Sequence, residues 1–176
     1  MSTRLVILGL LQNHPMYGYE LKSMIEDHMA DWTSIAFGSI YFALNKLSEE
    51  GLIVKVATEQ EGNRPSRTIY EITDEGRMEF MTLLRRQWTE MKQEYYDFDI
   101  ALFFQEYLST AEIISMMNGK IKGLEAAIKH LESHRAESLT NTEVPRTAAA
   151  IFDHSLIHMK AELEWLNSLK KRFPGG

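Results

Sequence analysis

The stretch that decides the fold is Phe37-Gly-Ser-Ile-Tyr-Phe-Ala-Leu-Asn-Lys-Leu-Ser-Glu-Glu-Gly51. Its aliphatic residues Ile40, Leu44 and Leu47 recur at steps of four and three, which is typical of a helix with one buried face. Gly51 follows the last turn, where a glycine commonly ends a helix. We therefore predict a helix that buries these three side chains and stops at the glycine.

Two further helices are predicted before this one. Leucines recur at helical spacing from Leu5 to Leu11, and His14-Pro15 ends that segment because a residue before proline avoids the helical region. A second amphipathic pattern runs from Tyr17 to Met29, with apolar residues mostly on one side. The first 50 residues are thus predicted to form three short helices.

A β-hairpin is predicted directly after the third helix. The β-rich runs 52–58 and 68–73 are separated by a polar, turn-forming segment, residues 59–66. Three helices followed by a hairpin are typical of the winged helix-turn-helix, in which the third helix enters the major groove of DNA and the hairpin touches its flank. We assign this domain to residues 1–76.

The remainder of the chain is predicted to be helical. Thr73 is a candidate N-cap for a fourth helix, and residues 77–108 form a linking helix with an aromatic-rich junction. Ser109-Thr-Ala-Glu112 then supplies a capping box. Apolar residues alternate at steps of three and four in two series, at positions 114, 117, 121, 124, 128 and 131, and at 152, 156, 159, 163 and 166. Residues 109–176 are therefore predicted to form an antiparallel helical pair.

The predicted helical pair has a second apolar face besides the seam that joins the two helices. Ile113, Ile151, Ile157 and Trp165 lie off the main seam and need another partner. The simplest partner is a second copy of the chain under two-fold symmetry, so we expect a homodimer. The predicted fold class is mainly α with a small β-hairpin, an N-terminal winged helix-turn-helix and a C-terminal antiparallel helical dimerisation domain.

Composition excludes several classes of protein. The 176 residues include no cysteine, which rules out disulfides and thiolate zinc sites and is usual in the cytoplasm. The early apolar run is too short to span a bilayer, so no membrane association is expected. The net charge is −6, and residues 1–75 carry six Lys and Arg against eleven Asp and Glu. Any DNA binding should therefore have modest non-specific affinity.

Catalytic and metal-binding patterns are weak. The sequence has no nucleophile elbow, phosphate-binding loop or zinc-protease motif, so we expect neither an enzyme nor a cofactor. His130 with His134 and His154 with His158 have a spacing that suits metal chelation on a helix. The two histidine pairs do not converge on one side of the predicted antiparallel helical pair. This favours surface histidines, and we predict no metal site.

Several motifs resemble the PadR family of bacterial regulators. They are Val6-Ile-Leu-Gly-Leu-Leu11, Met16-Tyr-Gly-Tyr-Glu-Leu21, Gly38-Ser-Ile-Tyr41, Leu44-Asn-Lys-Leu47, Glu50-Gly-Leu52, Arg64-Pro-Ser-Arg67 and Tyr70-Glu-Ile-Thr-Asp-Glu-Gly76. The helical tail resembles, by pattern alone, the subgroup with a long C-terminal α-helical dimerisation domain. The resemblance implies a transcriptional regulator, most often a repressor, that binds double-stranded promoter DNA as a homodimer.

The candidate DNA contacts lie on the third helix, on the hairpin and, for Tyr17, at the start of the second helix. Burial of the aliphatic stripe of the third helix turns the other side of that helix outward. Hydroxyls suit phosphates and base edges, asparagine suits adenine, an aromatic ring suits a thymine methyl, and arginine at a hairpin tip suits a minor groove or the backbone. The candidate residues are Tyr17, Ser39, Tyr41, Phe42, Asn45, Lys46, Arg64 and Arg67.

An effector site is implied by relatives that sense phenolic acids or drugs. Aromatic side chains could line a pocket for a small planar ligand, and the candidates are Trp88, Tyr95, Tyr96 and Trp165. The alternative, which is the commoner role of such residues, is that they belong to the core and the dimer contact.

A second functional class stays open. An acidic winged helix could bind a protein partner instead of DNA, since fold does not dictate function. Loss of DNA binding on changing Arg64, Arg67 and Tyr41 would separate the two hypotheses.

Overall fold

The computed structural model describes residues 3–29, 33, 35–59, 67–91, 93–140 and 147–173. The chain divides into two compact units, Met1–Lys92 and Gln93–Gly176. Within the described ranges it is mostly helical, with one small antiparallel sheet, as the sequence predicted.

The first unit contains four helices and three strands. In chain order these are α1 (Thr3–Leu10), β1 (Met16–Tyr17), α2 (Gly18–Met29), α3 (Phe37–Glu49), β2 (Ile53–Glu59), β3 (Arg67–Ile72) and α4 (Asp74–Thr89). The predicted order of three helices and a hairpin is confirmed. Ile40, Leu44 and Leu47 are completely or almost completely buried, and they pack with Leu8 of α1 and Leu21 of α2.

The sheet has three strands where the sequence predicted two. Its order is β1-β3-β2, with Met16 opposite Tyr70 and Ile53 opposite Ile72. Strand β1 was missed because two residues after Pro15 are too short to show a period of two. We call the hairpin β2–β3 the wing. The pairing of β1 with β3 joins the start of α2 to the wing.

Two glycines shape the junction between α3, the wing and α4. Gly51 ends α3 with a φ of +73°, as predicted, and this left-handed conformation favours glycine. The Thr73 hydroxyl accepts a hydrogen bond from Gly76 N at 3.0 Å and so caps α4. A Cβ built on Gly76 would lie 2.0 Å from the carbonyl oxygen of Leu52, so only glycine fits there.

Helix α4 buries one side against the core of the first unit. Met78 and Trp88 are largely exposed, whereas Phe80 and Leu83 pack against the core of the first unit. The reason is its contact with α1, where the Phe80 ring lies close to Gly9. The helix ends at Thr89.

The described residues of the second unit form helices and the short segments that connect them. The unit contains α5 (Asp97–Phe103), a 3₁₀ turn (Gln105–Tyr107), α6 (Thr110–Ser138) and α7 (Thr147–Lys170). The predicted capping box at Ser109 and Glu112 is present at the start of α6.

Helices α6 and α7 pack as the predicted antiparallel pair. Ile128 and Leu131 of α6 are buried with Phe152 and Leu156 of α7. Three exposed ion pairs follow the same antiparallel register: Arg135–Asp153 at 2.9 Å, Glu132–Lys160 at 2.7 Å and Lys120–Glu162 at 3.1 Å. The three-way division into 1–76, 77–108 and 109–176 stays a prediction.

Within the described part of the chain, no helix has both the length and the apolar content that crossing a membrane requires.

Candidate nucleic-acid interface

The outer face of α3 lies opposite its buried stripe. Phe42 is 66% exposed and Tyr41 38% exposed, and Asn45 and Lys46 are also exposed. Ser39 is half-buried, and its hydroxyl donates a hydrogen bond to the Ala36 carbonyl at 2.6 Å. Four of the five candidates on this helix are therefore open to solvent, while the serine hydroxyl is engaged with its own backbone.

Lys46 forms an ion pair within its own helix. Its ammonium group lies 2.9 Å from a carboxylate oxygen of Glu49. The hydrogen bond and the charge of Glu49, followed by the charge of Glu50, raise the pKa of Lys46 above its ordinary value. Part of its positive charge is thus neutralised within α3, which weakens it as a phosphate contact.

Arg67 lies beside a pair of tyrosines at the start of α2. The rings of Tyr17 and Tyr19 stack with centroids 5.5 Å apart and planes at 23°. The Arg67 guanidinium carbon is 5.4 Å from the centroid of Tyr19, a cation–π distance. The Tyr17 backbone N–H donates to the Glu20 carboxylate at 2.8 Å, which fixes this first turn. Tyr17 and Arg67, two of the predicted candidates, thus both contact Tyr19.

Tyr19 is a residue that the sequence reasoning missed. The signal available was the repeat of tyrosine on either side of Gly18, but the stacking depends on the pairing of β1 with β3. Strand β3 begins at Arg67, two residues before the partner of Tyr17.

Gly18 allows three elements to approach closely. A Cβ built there would lie 3.3 Å from Tyr41 of α3 and 3.5 Å from Tyr70 of β3. Burial, with a smaller contribution from Tyr41, raises the pKa of the Tyr70 phenol. The first turn of α2 therefore lies against both the recognition-helix candidate α3 and the wing.

Beside α3, an open depression of about 580 Å³ continues the same surface. It is lined by Asn45, Ser48, Glu49, Ile53, Val54 and Lys55. The depression links the C-terminal half of α3 to β2. The predicted contact Arg64 lies outside the described residues, so its placement stays a prediction.

The effector candidates are distributed over both units. Trp88, on α4 in the first unit, is 85% exposed. In the second unit Tyr95 is exposed, and the Tyr96 hydroxyl donates to the Glu94 carboxylate at 3.3 Å. The negative charge of Glu94, followed by this hydrogen bond, raises the pKa of Tyr96.

Trp165 packs against an aromatic residue that itself contacts a lysine. Its ring meets Phe98 edge-on, with centroids 5.6 Å apart. Lys120 Nζ lies 3.8 Å from the centroid of the same Phe98 ring. Phe98 and Lys120 were not predicted as site residues, because they join Trp165 only through the packing of the second unit.

Among the described residues, no group of three or more His, Cys, Asp and Glu side chains is placed to hold a metal ion. The two predicted histidine pairs do differ from each other in geometry. The ring centroids of His130 and His134 are 6.3 Å apart, whereas those of His154 and His158 are 4.6 Å apart.

The chain is similar to known proteins in both sequence and fold. Residues 7–82 match the transcriptional regulator PadR-like family. The negative transcriptional regulator PadR of Bacillus subtilis (strain 168) is 25% identical over 169 residues, which cover 93% of this chain and 92% of the relative.

Two solved structures of Bacillus subtilis PadR have the same fold. The complex with operator DNA has a TM-score of 0.77 and 24% identity, over 96% of this chain and 97% of that one. The complex with p-coumaric acid has a TM-score of 0.77 and 22% identity, over 96% of both chains. The chain is therefore similar to the PadR-like family of transcriptional regulators in its winged helix-turn-helix, and it shares the fold of these solved structures along most of its length.

Proposed function

We propose that the protein is a repressor that binds promoter DNA as a homodimer, with α3 in the major groove and the wing on its flank. The observation that carries this proposal is the outer face of α3, which is solvent-exposed directly opposite a fully buried stripe. The Bacillus subtilis relative is a negative regulator and has been solved with operator DNA, which supports the same role here.

Each side chain of that face has a chemical role in the proposal. Asn45 reads an adenine edge, Phe42 contacts a thymine methyl, and the Tyr41 hydroxyl bonds to a phosphate or a base edge. The Ser39 hydroxyl reaches the DNA backbone only if it gives up its hydrogen bond to the Ala36 carbonyl. Lys46 pairs with a phosphate in competition with Glu49.

The start of α2 and the wing supply the flanking contacts. Tyr17 and Arg67 bind the DNA backbone, and Tyr19 holds the arginine in place through its ring. The proposal also retains Arg64, whose side chain would enter a minor groove or clamp a phosphate.

Dimerisation uses the second unit. Its exposed apolar side chains are numerous, and they include Ile100, Phe103, Tyr107, Met116, Ile157 and Trp165. A second copy related by a two-fold axis would cover such a surface and bring two α3 helices to one operator.

A small aromatic carboxylic acid is the proposed effector. The ring of such a molecule suits the surface formed by Trp165 and Phe98, and the Lys120 ammonium would pair with its carboxylate in competition with Glu162. Tyr95 and Tyr96, which belong to the same unit, are candidates for further contacts, and the role of Trp88 stays a prediction. Binding would shift the population of dimers toward a spacing of the α3 helices that does not fit the operator.

The proposal includes no catalytic role and no cofactor, and it places the protein in the cytoplasm, where the promoter is. A specific observation favours one competing function, a protein-interaction module: the first 75 residues have eleven acids against six bases. The two functions predict different results with DNA.

The deciding experiment is a fluorescence-anisotropy titration on the DNA upstream of the protein's own gene, with a scrambled duplex as control. The proposal expects at least about a thousandfold preference for the promoter. Asn45→Ala should remove about 1–3 kcal/mol of that discrimination. Met78→Ala, on an exposed part of α4, serves as the control and should bind as wild type. Equal weak binding to both duplexes, here and on tiled neighbouring promoters, would favour the protein-interaction module.

A further inference from the structure

His154 and His158 lie one turn apart on the exposed side of α7. Their Nε2 atoms are 3.2 Å from each other, and their ring centroids are 4.6 Å apart. The rings thus point their outer nitrogens at a common position. The sequence spacing permits this arrangement but does not require it, because each side chain has several rotamers.

The distance between these nitrogens matches that of two imidazoles on one metal ion. Zinc binds histidine nitrogen at 2.0–2.1 Å with tetrahedral geometry, which separates two such nitrogens by about 3.3 Å. Copper and nickel also favour imidazole, whereas calcium and magnesium favour oxygen. We propose that His154 and His158 form a two-ligand site for a divalent transition-metal ion.

The neighbouring positions on α7 suit a cation. The residues three or four positions away from either histidine are Ala150, Ile151, Ser155, Ile157, Ala161 and Glu162, and none carries a positive charge. Ala150 and Ala161 are exposed and small, which leaves room for water or an outside ligand in the remaining coordination positions. The Glu162 carboxylate is paired with Lys120 at 3.1 Å, so it is not counted as a ligand.

Metal binding requires one change in the pair. Without a metal, one Nε2–H donates a hydrogen bond to the other Nε2 across the 3.2 Å gap. Coordination needs a lone pair on both Nε2 atoms, so each ring then carries its proton on Nδ1. The donor ring changes tautomer, and no proton is lost from the pair.

The second histidine pair provides a matched control on α6. His130 and His134 have the same spacing along a helix, but their ring centroids are 6.3 Å apart. His134 also packs edge-on against the buried Phe152 ring at 5.5 Å, which holds it away from a shared position. The proposal therefore assigns the site to α7 and not to α6.

The test is isothermal titration calorimetry of ZnCl₂, and separately of NiCl₂, into the full chain after treatment with EDTA. We expect one site per chain, with an affinity at least tenfold lower in His154→Ala and in His158→Ala. The double variant His130→Ala with His134→Ala should bind within twofold of wild type. Far-UV circular dichroism checks that every variant keeps its helix content.

A melting experiment gives an independent readout. A ligand that binds only the folded state raises the melting temperature, so saturating metal should stabilise wild type and the α6 double variant but neither α7 variant. The proposal is overturned if wild type binds neither metal at millimolar concentration, or if the α7 variants bind as tightly as wild type.

Discussion

Gly76 lies where the first turn of α4 meets the backbone of Leu52. We expect Gly76→Ala to lower the free energy of unfolding by about 2–3 kcal/mol, because its Cβ would overlap a carbonyl oxygen only 2.0 Å away. Gly38→Ala is the matched control, since nothing lies within 4 Å of a Cβ on Gly38. That change should be neutral or stabilise α3 by up to about 1 kcal/mol. Urea denaturation measures both, and equal stability of Gly76→Ala and wild type would show that the junction adapts.

Glu49 limits the charge that α3 offers to DNA. Glu49→Gln should release Lys46 from its 2.9 Å ion pair, raise promoter affinity and steepen the dependence of log K on log salt by about one. Glu164→Gln removes the same charge from an exposed position on α7 and controls for net charge. Anisotropy titrations at several salt concentrations provide the measurement. An unchanged slope would place Lys46 away from the phosphates.

At the residue scale, the exposed candidates of α3 could be predicted because they follow from its buried stripe. The exposure of Phe42 and Asn45 needs only the helical period. The contacts of Arg67 with Tyr19, and of Trp165 with Phe98, could not be predicted, since they depend on residues distant in sequence. The pairing of Lys46 with Glu49 could have been predicted from the sequence, because residues three positions apart are neighbours on a helix.

The capping box at the start of α6 links stability to pH. The Ser109 hydroxyl and backbone N–H both donate to the Glu112 carboxylate, at 2.6 and 2.9 Å, and hold the pKa of Glu112 below its ordinary value of 4.5. The charged form is therefore favoured in the folded state. Its stabilising effect is complete above about pH 4.5 and is lost as the pH falls through the lower folded pKa.

Two substitutions test this element. Ser109→Ala should cost about 1 kcal/mol near neutral pH, which is typical of a lost N-cap. Glu112→Gln should lower the melting temperature at pH 7, and its difference from wild type should shrink as the pH falls below 4.5. Glu125→Gln, at an exposed position of the same helix, is the control. A difference that stays constant between pH 7 and pH 3 would contradict the assignment.

Helices in which apolar residues repeat over several turns were predicted well. Short elements, and features that depend on tertiary contacts, were not. Helix α3 and the α6–α7 pair follow from apolar residues at steps of three and four. Strand β1 has two residues and helix α5 seven, which is too few for a clear pattern. The buried face of α4 is set by Phe80 against α1, and that contact is tertiary.

At the scale of the whole molecule, the proposed dimer depends on apolar residues exposed in the second unit. Ile157 is 68% exposed on α7. Ile157→Asp should produce monomers at micromolar concentration and weaken operator binding at least tenfold, because a charge would then be buried without a partner. Ile157→Leu keeps the apolar surface and should remain dimeric. Analytical ultracentrifugation gives the stoichiometry, and a dimeric Ile157→Asp would place the contact on another surface.

The ion pairs of the first unit also bear on how many molecules a cell needs. Arg4 lies against Glu50, Lys22 against Glu26, and Lys46 against Glu49. A bacterial chromosome offers on the order of a million competing sites, and attraction to them rises with each cation that meets a phosphate. A regulator in which several cations are matched by its own carboxylates is held less by the bulk of the genome. A small number of copies then suffices to keep a single operator occupied.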